Sequence, residues 1–323
     1  IFAASGTGAM EGAVVNLLSK NDRALIVDGG KFGERWWKIC KAYGIAYDVI
    51  KVEWGQAVDV KVLEAKLKEQ EYRAVFLQAS ETSTGVAHPV EAVAKLVKNM
   101  PNTALVVDAI TALGVVNIPT DAWGIDVLIT GSQKALMLPP GLAFASVSKK
   151  ALALCEKSDL PKFYFDFKRE LKSIQENTTA WTPAVSLILG LQEVLRLMKQ
   201  EGLENLFKRH ALQAKATREG LKAMCLKLFA PDAPSDAVTA VYSPEGMDAG
   251  KIVKTLKNKF NMTIAGGQDQ AKGKIFRIGH LGYYDPMDIL NALAAVESAL
   301  IEHGHKITPG VGLGAAMQVL MEK

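Results

Sequence analysis

The chain has 323 residues, long enough for two domains, and 49% of them are hydrophobic, which allows a sizeable core. Its net charge of +4 arises from 38 basic and 34 acidic residues that are interspersed along the chain, which argues against a nucleic-acid-binding protein. No apolar run reaches the roughly 20 residues of a membrane span and no signal segment stands at the start, so no membrane partner is expected.

The first predicted element is a helix that follows a loop of small residues. Residues 1–5 are typical of the end of a core strand, and we expect a further segment of the protein to precede them. The loop Ser5-Gly-Thr-Gly8 comes next, and residues 10–18 repeat apolar side chains every three or four positions, which predicts an amphipathic helix. Free N–H groups and the positive end of the helix dipole suit this loop to a phosphate, although an ordinary helix cap has the same appearance.

From residue 23 the sequence alternates strands and helices. We predict strands over residues 24–27, 46–52, 74–78, 104–108, 125–129 and 142–147, and helices over residues 32–43, 59–68 and 89–99. Continuous apolar strands in this alternation indicate an α/β fold, with a mainly parallel sheet flanked by helices on both faces. Ligands of such sheets lie beyond the carboxyl ends of the strands. Four polar residues occupy these ends or the loops after them: Ser5, Thr82, Asp108 and Lys134.

Lys134 lies between two apolar, strand-like segments, which is an unusual place for a lysine. Removing an ammonium group from water costs several kcal/mol unless the group is paired or neutralised. The same cost lowers the pKa of the amine, which can then attack a carbonyl and form a Schiff base. An exposed loop lysine is the alternative that this stretch alone allows. Asp108 ends a predicted strand, and a helix cap is the corresponding alternative there.

Beyond residue 147 the pattern changes. Residues 149–177, with many charges and an aromatic cluster, are predicted to be irregular, and a long helix is predicted over residues 184–199. We place a domain boundary between residues 201 and 202, which gives a large domain (1–201) and a small C-terminal α+β domain (202–323). The small domain is predicted to contain helices over residues 203–224, 250–260 and 286–303 and strands over residues 238–242 and 275–278.

The cysteines and histidines do not predict a metal site. Cys40, Cys155 and Cys225 are few, odd in number and widely spaced, which also argues against a disulfide framework and favours a reducing, cytoplasmic location. His303 and His305 have no third ligand nearby in sequence. The glycine-rich residues 310–314 lack a preceding strand, so we do not interpret them as a dinucleotide-binding loop.

Taken in order, five motifs resemble the class V pyridoxal-phosphate aminotransferases, in particular the alanine/serine–glyoxylate aminotransferase branch. They are Ser-Gly-Thr-Gly, Glu-Thr-Ser-Thr-Gly, Val-Asp-Ala-Ile-Thr-Ala-Leu-Gly, Gly-Ser-Gln-Lys-Ala and Phe-Arg-Ile-Gly-His-Leu-Gly. The motifs span essentially the whole chain, and the ordered set is specific although each piece alone is weak. The resemblance implies the type I fold of pyridoxal-phosphate transferases, with residues 1–201 as the cofactor-binding domain. The N-terminal arm of that family, which lines its substrate pocket, is absent from the chain given.

The resemblance also implies catalytic roles. Lys134 resembles the lysine that bonds to pyridoxal 5′-phosphate and moves a proton between the substrate Cα and the cofactor. Asp108 resembles the residue that pairs with the pyridine nitrogen and keeps it protonated, so that the ring accepts electrons. Arg277 resembles the arginine that binds the substrate α-carboxylate, which a planar guanidinium matches better than a lysine does.

Further residues of the chain resemble those that hold the cofactor and the partner subunit. The implied cofactor-binding set is Ser5, Gly6, Thr7 and Gln133 at the phosphate, Phe32 and Ile110 on the two ring faces, Thr82 at the phenolic oxygen, and Thr179 and Thr182 at the phosphate of a neighbouring subunit. Such a set implies a homodimer with shared active sites.

The expected activity is transfer of an amino group from a small amino acid, alanine or serine, to a 2-oxo acid such as glyoxylate or pyruvate. Another donor, such as 2-aminoethylphosphonate, ureidoglycine or aspartate, remains open because specificity depends on the shape of the pocket. A cysteine desulfurase is disfavoured, since those relatives typically carry histidine where this chain has Gln133. A non-catalytic subunit of a larger complex is disfavoured by the intact Lys134, Asp108 and Arg277.

Overall fold

The computed structural model describes residues 1–322. The helices are α1 (Gly6–Leu17), α2 (Lys31–Ala42), α3 (Val60–Glu69), α4 (Val90–Val97), α5 (Thr120–Trp123), α6 (Lys149–Cys155), α7 (Phe167–Gln175), α8 (Val185–Glu201), α9 (Leu203–Ala223), α10 (Ala249–Phe260), α11 (Pro286–Glu302) and α12 (Val311–Met321). The strands are β1 (Arg23–Asp28), β2 (Ala46–Lys51), β3 (Ala74–Gln78), β4 (Ser80–Glu81), β5 (Val86–Ala87), β6 (Ala104–Asp108), β7 (Val127–Gly131), β8 (Ala143–Val147), β9 (Val238–Tyr242), β10 (Ala265–Gly266) and β11 (Ile275–Gly279). None of the helices in this described part is long and apolar enough to span a membrane.

Six strands form the central sheet, in the order β2-β1-β3-β6-β7-β8. Every neighbouring pair is parallel except β7 and β8, which run antiparallel. The prediction of a mainly parallel α/β sheet flanked by helices is therefore confirmed. Parallel neighbours bring their carboxyl ends to one edge, and Gln78, Asp108 and Ile129 are in register there.

The sheet separates two hydrophobic cores because its inner strands are apolar on both faces. One core contains Ile26, Phe76 and Ile129 and lies under α1 and α2. The other contains Leu25 and Leu77 together with side chains from α3 and α4. Each of these large side chains stabilises the fold by about 1.5–3 kcal/mol when it is fully buried. This packing makes the carboxyl edge of the sheet a rigid base for loops.

A smaller antiparallel sheet, in the order β10-β11-β9, is packed against α9, α10, α11 and α12. Phe276 and Leu293 are fully buried in its core. Gly202, with a φ of 84°, separates α8 from α9. The domain boundary between residues 201 and 202 stays a prediction.

The prediction of an irregular segment over residues 149–177 is wrong, because α6 and α7 occupy much of it. Both helices have N-cap side chains that accept hydrogen bonds. The Ser148 hydroxyl accepts one from the backbone N–H of Ala151, and the Asp166 carboxylate accepts one from the backbone N–H of Lys168. The glycine-rich segment near the chain end, for which no helix was predicted, starts α12. Gly312 there lies so close to Gly220 of α9 that a Cβ on Gly312 would be 2.9 Å from the Gly220 carbonyl oxygen.

Candidate active site

A cavity of about 620 Å³ lies between the two sheets and contains Lys134, Arg277 and Thr82 in its wall. Asp108 is the last residue of β6, and Lys134 lies in the turn that follows the neighbouring strand β7. Arg277 and Asp108 lie close enough to Lys134 for their charges to act on its pKa, which Arg277 lowers and Asp108 raises. The structure therefore brings together three residues that are distant in sequence. The proximity of Asp108 and Lys134 was expected from their positions after neighbouring strands, whereas Arg277 was expected only from the family resemblance.

Asp108 is a buried carboxylate that the local backbone partly stabilises. Its Oδ1 accepts a hydrogen bond of 2.9 Å from the Ile110 N–H. The pKa of Asp108 is raised from its ordinary value of 3.8 to about 7, chiefly by burial and also by the negative charge of Glu81, whereas the Ile110 N–H and the charges of Arg35 and Lys134 oppose this rise. A cationic group in contact with Asp108 would lower this pKa again. The carboxylate is thus suited to pair with a protonated ring nitrogen.

Lys134 is held in a tight turn. Its carbonyl oxygen accepts a hydrogen bond of 2.8 Å from the Met137 N–H, and the Ser132 hydroxyl donates to the Pro139 carbonyl at 2.7 Å. Burial lowers the pKa of the Lys134 amine, and the positive charge of Arg277 lowers it further. A larger fraction of this amine is therefore unprotonated than for an exposed lysine, as attack on a carbonyl requires.

Arg277 lies on β11 and is 8% exposed, with its guanidinium fixed by backbone oxygens. Nε and Nη2 donate to the Gly266 carbonyl at 3.0 and 2.8 Å, and Nη1 donates to the Thr82 carbonyl at 2.8 Å. A guanidinium has five N–H groups, so these three bonds leave two without a partner among residues 1–322. Burial lowers the pKa of Arg277. Arg277 lines the cavity, so its remaining N–H groups are available to bind a carboxylate there.

The start of α1 forms a cradle with the loop after β7. Ser5 is the N-cap residue, and its side chain makes no capping hydrogen bond. A Cβ added to Gly131 would lie 2.9 Å from Oε1 of Gln133 and 3.5 Å from the backbone nitrogen of Gly6. Oε1 of Gln133 is buried without a hydrogen-bond partner in the described chain, although its amide can turn either end toward a ligand. Free donors at a helix N-terminus fit the phosphate of pyridoxal phosphate.

Arg35 is a site residue that the sequence analysis did not identify. Its Nη1 donates a hydrogen bond of 3.0 Å to the Thr7 hydroxyl, and its guanidinium lies 4.9 Å from the centre of the Phe32 ring. The Thr7 hydroxyl keeps its own proton for donation to an anion. Residues three apart lie on the same face of a helix, so the spacing from Phe32 could have indicated that Arg35 lies on the cofactor side of α2.

Glu81 is a second site residue that was not predicted, although it begins the Glu-Thr-Ser-Thr-Gly motif that contains Thr82. The Glu81 carboxylate is fully buried and accepts hydrogen bonds from the N–H groups of Phe32 (3.1 Å) and Gly33 (2.9 Å) at the start of α2. Burial raises its pKa. Next to it, the Thr82 hydroxyl is 2.6 Å from that of Thr111. Glu81 thus fixes the end of α2 that carries Phe32.

Thr179 and Thr182 do not join the other predicted residues within this chain. They lie on an exposed segment before α8, where the Thr179 hydroxyl donates to the Trp181 carbonyl at 2.7 Å. Both line a surface cavity together with Ile1 and Tyr164. Their role across a dimer stays a prediction.

Comparisons with known proteins show which family the chain belongs to. The family model for class-V aminotransferases matches residues 1–288. The chain is 46% identical to the small subunit of a soluble hydrogenase of Synechococcus sp. (99% of this chain, 84% of that protein). It is 38% identical to serine–glyoxylate aminotransferase of Methylorubrum extorquens (100% and 83%). The crystal structure of ureidoglycine–glyoxylate aminotransferase from Bacillus subtilis superposes with a TM-score of 0.93 at 30% identity (99% and 84%). The chain therefore belongs to the class-V aminotransferase family and is a pyridoxal 5′-phosphate-dependent aminotransferase.

Proposed function

We propose that this enzyme transfers the amino group of a small neutral amino acid, alanine or serine, to glyoxylate or pyruvate. The observation that carries the proposal is that Lys134 and Arg277 line one cavity and that Asp108 lies close enough to Lys134 to act on its charge. These three side chains supply an amine, a partner for a ring nitrogen and a carboxylate-binding group, which together are what transamination requires.

Each residue has one role in this proposal. Bound pyridoxal phosphate supplies a ring that accepts electrons from the substrate Cα. The Lys134 amine would hold the cofactor, and when free it would accept the proton from the substrate Cα and donate it again. Asp108 keeps a proton on the ring nitrogen, and the two free N–H groups of Arg277 orient the substrate through its carboxylate.

The lining of the cavity favours a neutral donor. Lys134 and Arg277 are the cationic side chains among the described lining residues, and the carboxylate of Asp288 lies on the same wall. Met262 and Ile264 are apolar neighbours. Since Lys134 and Arg277 are already assigned to the cofactor and the α-carboxylate, a second carboxylate on the donor would have no further cation among the described lining residues, and alanine and serine are better candidates than aspartate.

A panel of donors tests this choice. We expect alanine and serine, with glyoxylate as acceptor, to give higher values of kcat/KM than aspartate, ureidoglycine or 2-aminoethylphosphonate, measured as glycine formed. An aspartate value above that of alanine would overturn the neutral-donor proposal.

A second candidate function comes from the relatives named as subunits of soluble hydrogenases. As such a subunit, the chain would act mainly within a larger complex. A half-reaction assay on the purified chain separates the two functions, because a transaminase alone converts L-alanine to pyruvate up to the amount of bound cofactor. Absence of pyruvate from cofactor-loaded protein would favour the complex subunit.

We further propose a cytoplasmic homodimer in which Thr179 and Thr182 reach the phosphate of the partner. The support is an exposed apolar surface near these threonines, including Ile174, Val185 and Leu189, which are 56%, 58% and 61% exposed. An apolar patch of this kind is typical of a protein interface. The free cysteines are compatible with a reducing compartment. A monomer in size-exclusion chromatography would contradict the shared site.

Arg277→Lys is expected to raise KM for the amino donor by at least about 100-fold, because charge-assisted hydrogen bonds contribute about 1.5–3 kcal/mol each and lysine lacks the planar pair. The dissociation constant of pyridoxal phosphate should change less than threefold, since Arg277 is not part of the phosphate cradle. Steady-state kinetics and a cofactor titration check the two values. An unchanged KM would exclude Arg277 as the carboxylate-binding residue.

A further inference from the structure

The loop between β11 and α11 is attached to one face of helix α9. Arg209 Nη1 donates to the carbonyl oxygens of Gly282 and Tyr284, both at 3.0 Å. Gln213 Nε2 donates to the same Tyr284 oxygen at 2.6 Å, and the Gly282 N–H donates to His210 Nε2 at 3.0 Å. Three side chains of one helix thus satisfy three backbone groups of a loop that lies about 70 residues further along the chain.

Arg209 and His210 are themselves held in place. The Glu201 carboxylate binds Nε and Nη2 of Arg209 at 2.7 and 3.1 Å. His210 Nδ1 is 2.8 Å from the Leu206 carbonyl, so this nitrogen carries the proton and Nε2 is the acceptor for Gly282. Burial lowers the pKa of His210, which keeps the ring neutral. The attachment therefore has a defined geometry on the helix side.

On its other side the loop reaches the active site. Gly282 has a φ of 97°, which glycine adopts without strain, and a Cβ there would lie 3.4 Å from Met137 Cγ and 3.8 Å from the Lys134 carbonyl oxygen. Tyr284 lines the same cavity as Lys134 and Arg277. The loop therefore lies between α9 and the turn that carries the reactive lysine.

We propose that Arg209, His210 and Gln213 are positioning residues that hold the loop over residues 282–284 against the Lys134 turn and so set the shape of the donor-binding cavity. The catalytic part of this inference rests on the proposed transaminase function. The structural part does not, because it concerns the loop alone.

The test combines loop mobility with kinetics of the cofactor-loaded enzyme. Arg209→Met removes the charged hydrogen bonds to the Gly282 and Tyr284 carbonyls, which together are worth more than about 1.4 kcal/mol. We therefore expect hydrogen exchange of the peptide over residues 280–285 to accelerate by at least about tenfold. Chymotrypsin cleavage after the exposed Tyr283 should accelerate by the same factor. KM for the amino donor should rise about tenfold, and kcat should change less.

Arg218→Met is the matched control. Arg218 is also on α9 and also binds a carboxylate and a carbonyl, Asp236 Oδ1 and the Ser235 oxygen, both at 3.2 Å, but it makes no hydrogen bond to residues 282–284. This variant should leave loop exchange and KM unchanged.

If Arg209→Met does not fold, His210→Leu and His210→Gln replace it. Leucine should loosen the loop, and glutamine, whose side-chain oxygen can accept a hydrogen bond from the Gly282 N–H, should restore it.

The outcomes separate the two proposals. Unchanged exchange and cleavage in Arg209→Met and His210→Leu, both folded by circular dichroism, would overturn the attachment. A loosened loop with an unchanged KM would overturn its role in shaping the cavity. If the variants loosen the loop but the wild-type protein transaminates no donor, the attachment stands and the proposed function is overturned.

Discussion

Lys134→Ala is expected to abolish transamination and to leave the fold intact. The variant loses both the amine that binds the cofactor and the base that moves the Cα proton, and the second loss alone is worth about 10²–10⁴-fold. We therefore expect kcat to fall by at least about 10⁴-fold. The measurement is pyruvate formed from L-alanine with glyoxylate as acceptor, with circular dichroism to confirm folding.

Lys134→Arg is the companion variant. It keeps a positive charge beside Asp108 but cannot lose a proton at neutral pH, so it should be as inactive as the alanine variant. Turnover above about 1% of wild type in either variant would contradict the assignment of the proton transfer to Lys134.

Asp108→Asn is expected to lower kcat by about 10³-fold, because removing a preorganised charge at the reacting group costs on that order. Asparagine can still occupy the space, but it cannot keep the ring nitrogen protonated. The visible absorption spectrum of the bound cofactor should change as well. A variant with wild-type kcat would show that the electron-accepting ring does not depend on this carboxylate.

Asp108→Asn lowers activity but is expected to stabilise the cofactor-free protein above neutral pH. Burial raises the pKa of Asp108 from 3.8 to about 7, so the contribution of this carboxyl group to stability is fully present below pH 4 and is lost as the pH rises to about 7. The loss amounts to at most about 4 kcal/mol. Asparagine does not ionise, so we expect Asp108→Asn to be more stable than wild type at pH 8 and similar at pH 4, measured by urea denaturation. Equal pH dependence of both proteins would contradict the raised pKa.

Local sequence patterns were sufficient to predict the strands of the large sheet. The strands over residues 74–78 and 104–108 were predicted with their observed bounds, because a continuous apolar run between turn residues identifies a buried parallel strand. The rule that ligands bind beyond the carboxyl ends then placed Asp108 and Lys134 at one edge. Both inferences need only neighbouring residues and the geometry of a parallel sheet.

Contacts between distant segments were not predictable in this way. Arg35 and Glu81 act through hydrogen bonds to Thr7 and to the start of α2, and no periodic pattern indicates such pairs. Helix α12 was missed because its glycines lower helix propensity, whereas in the structure they allow close contact with α9. The attachment of the loop by Arg209 depends on a partner 73 residues away and is equally invisible in sequence.

The most direct test of the account is to locate the cofactor on the chain. The protein is loaded with pyridoxal phosphate, reduced with borohydride, digested and analysed by mass spectrometry. We predict one phosphopyridoxyl group per chain, on the peptide that contains Lys134. A label on a different lysine, or none after full loading, would contradict the claim that Lys134 beside Asp108 is the reactive centre.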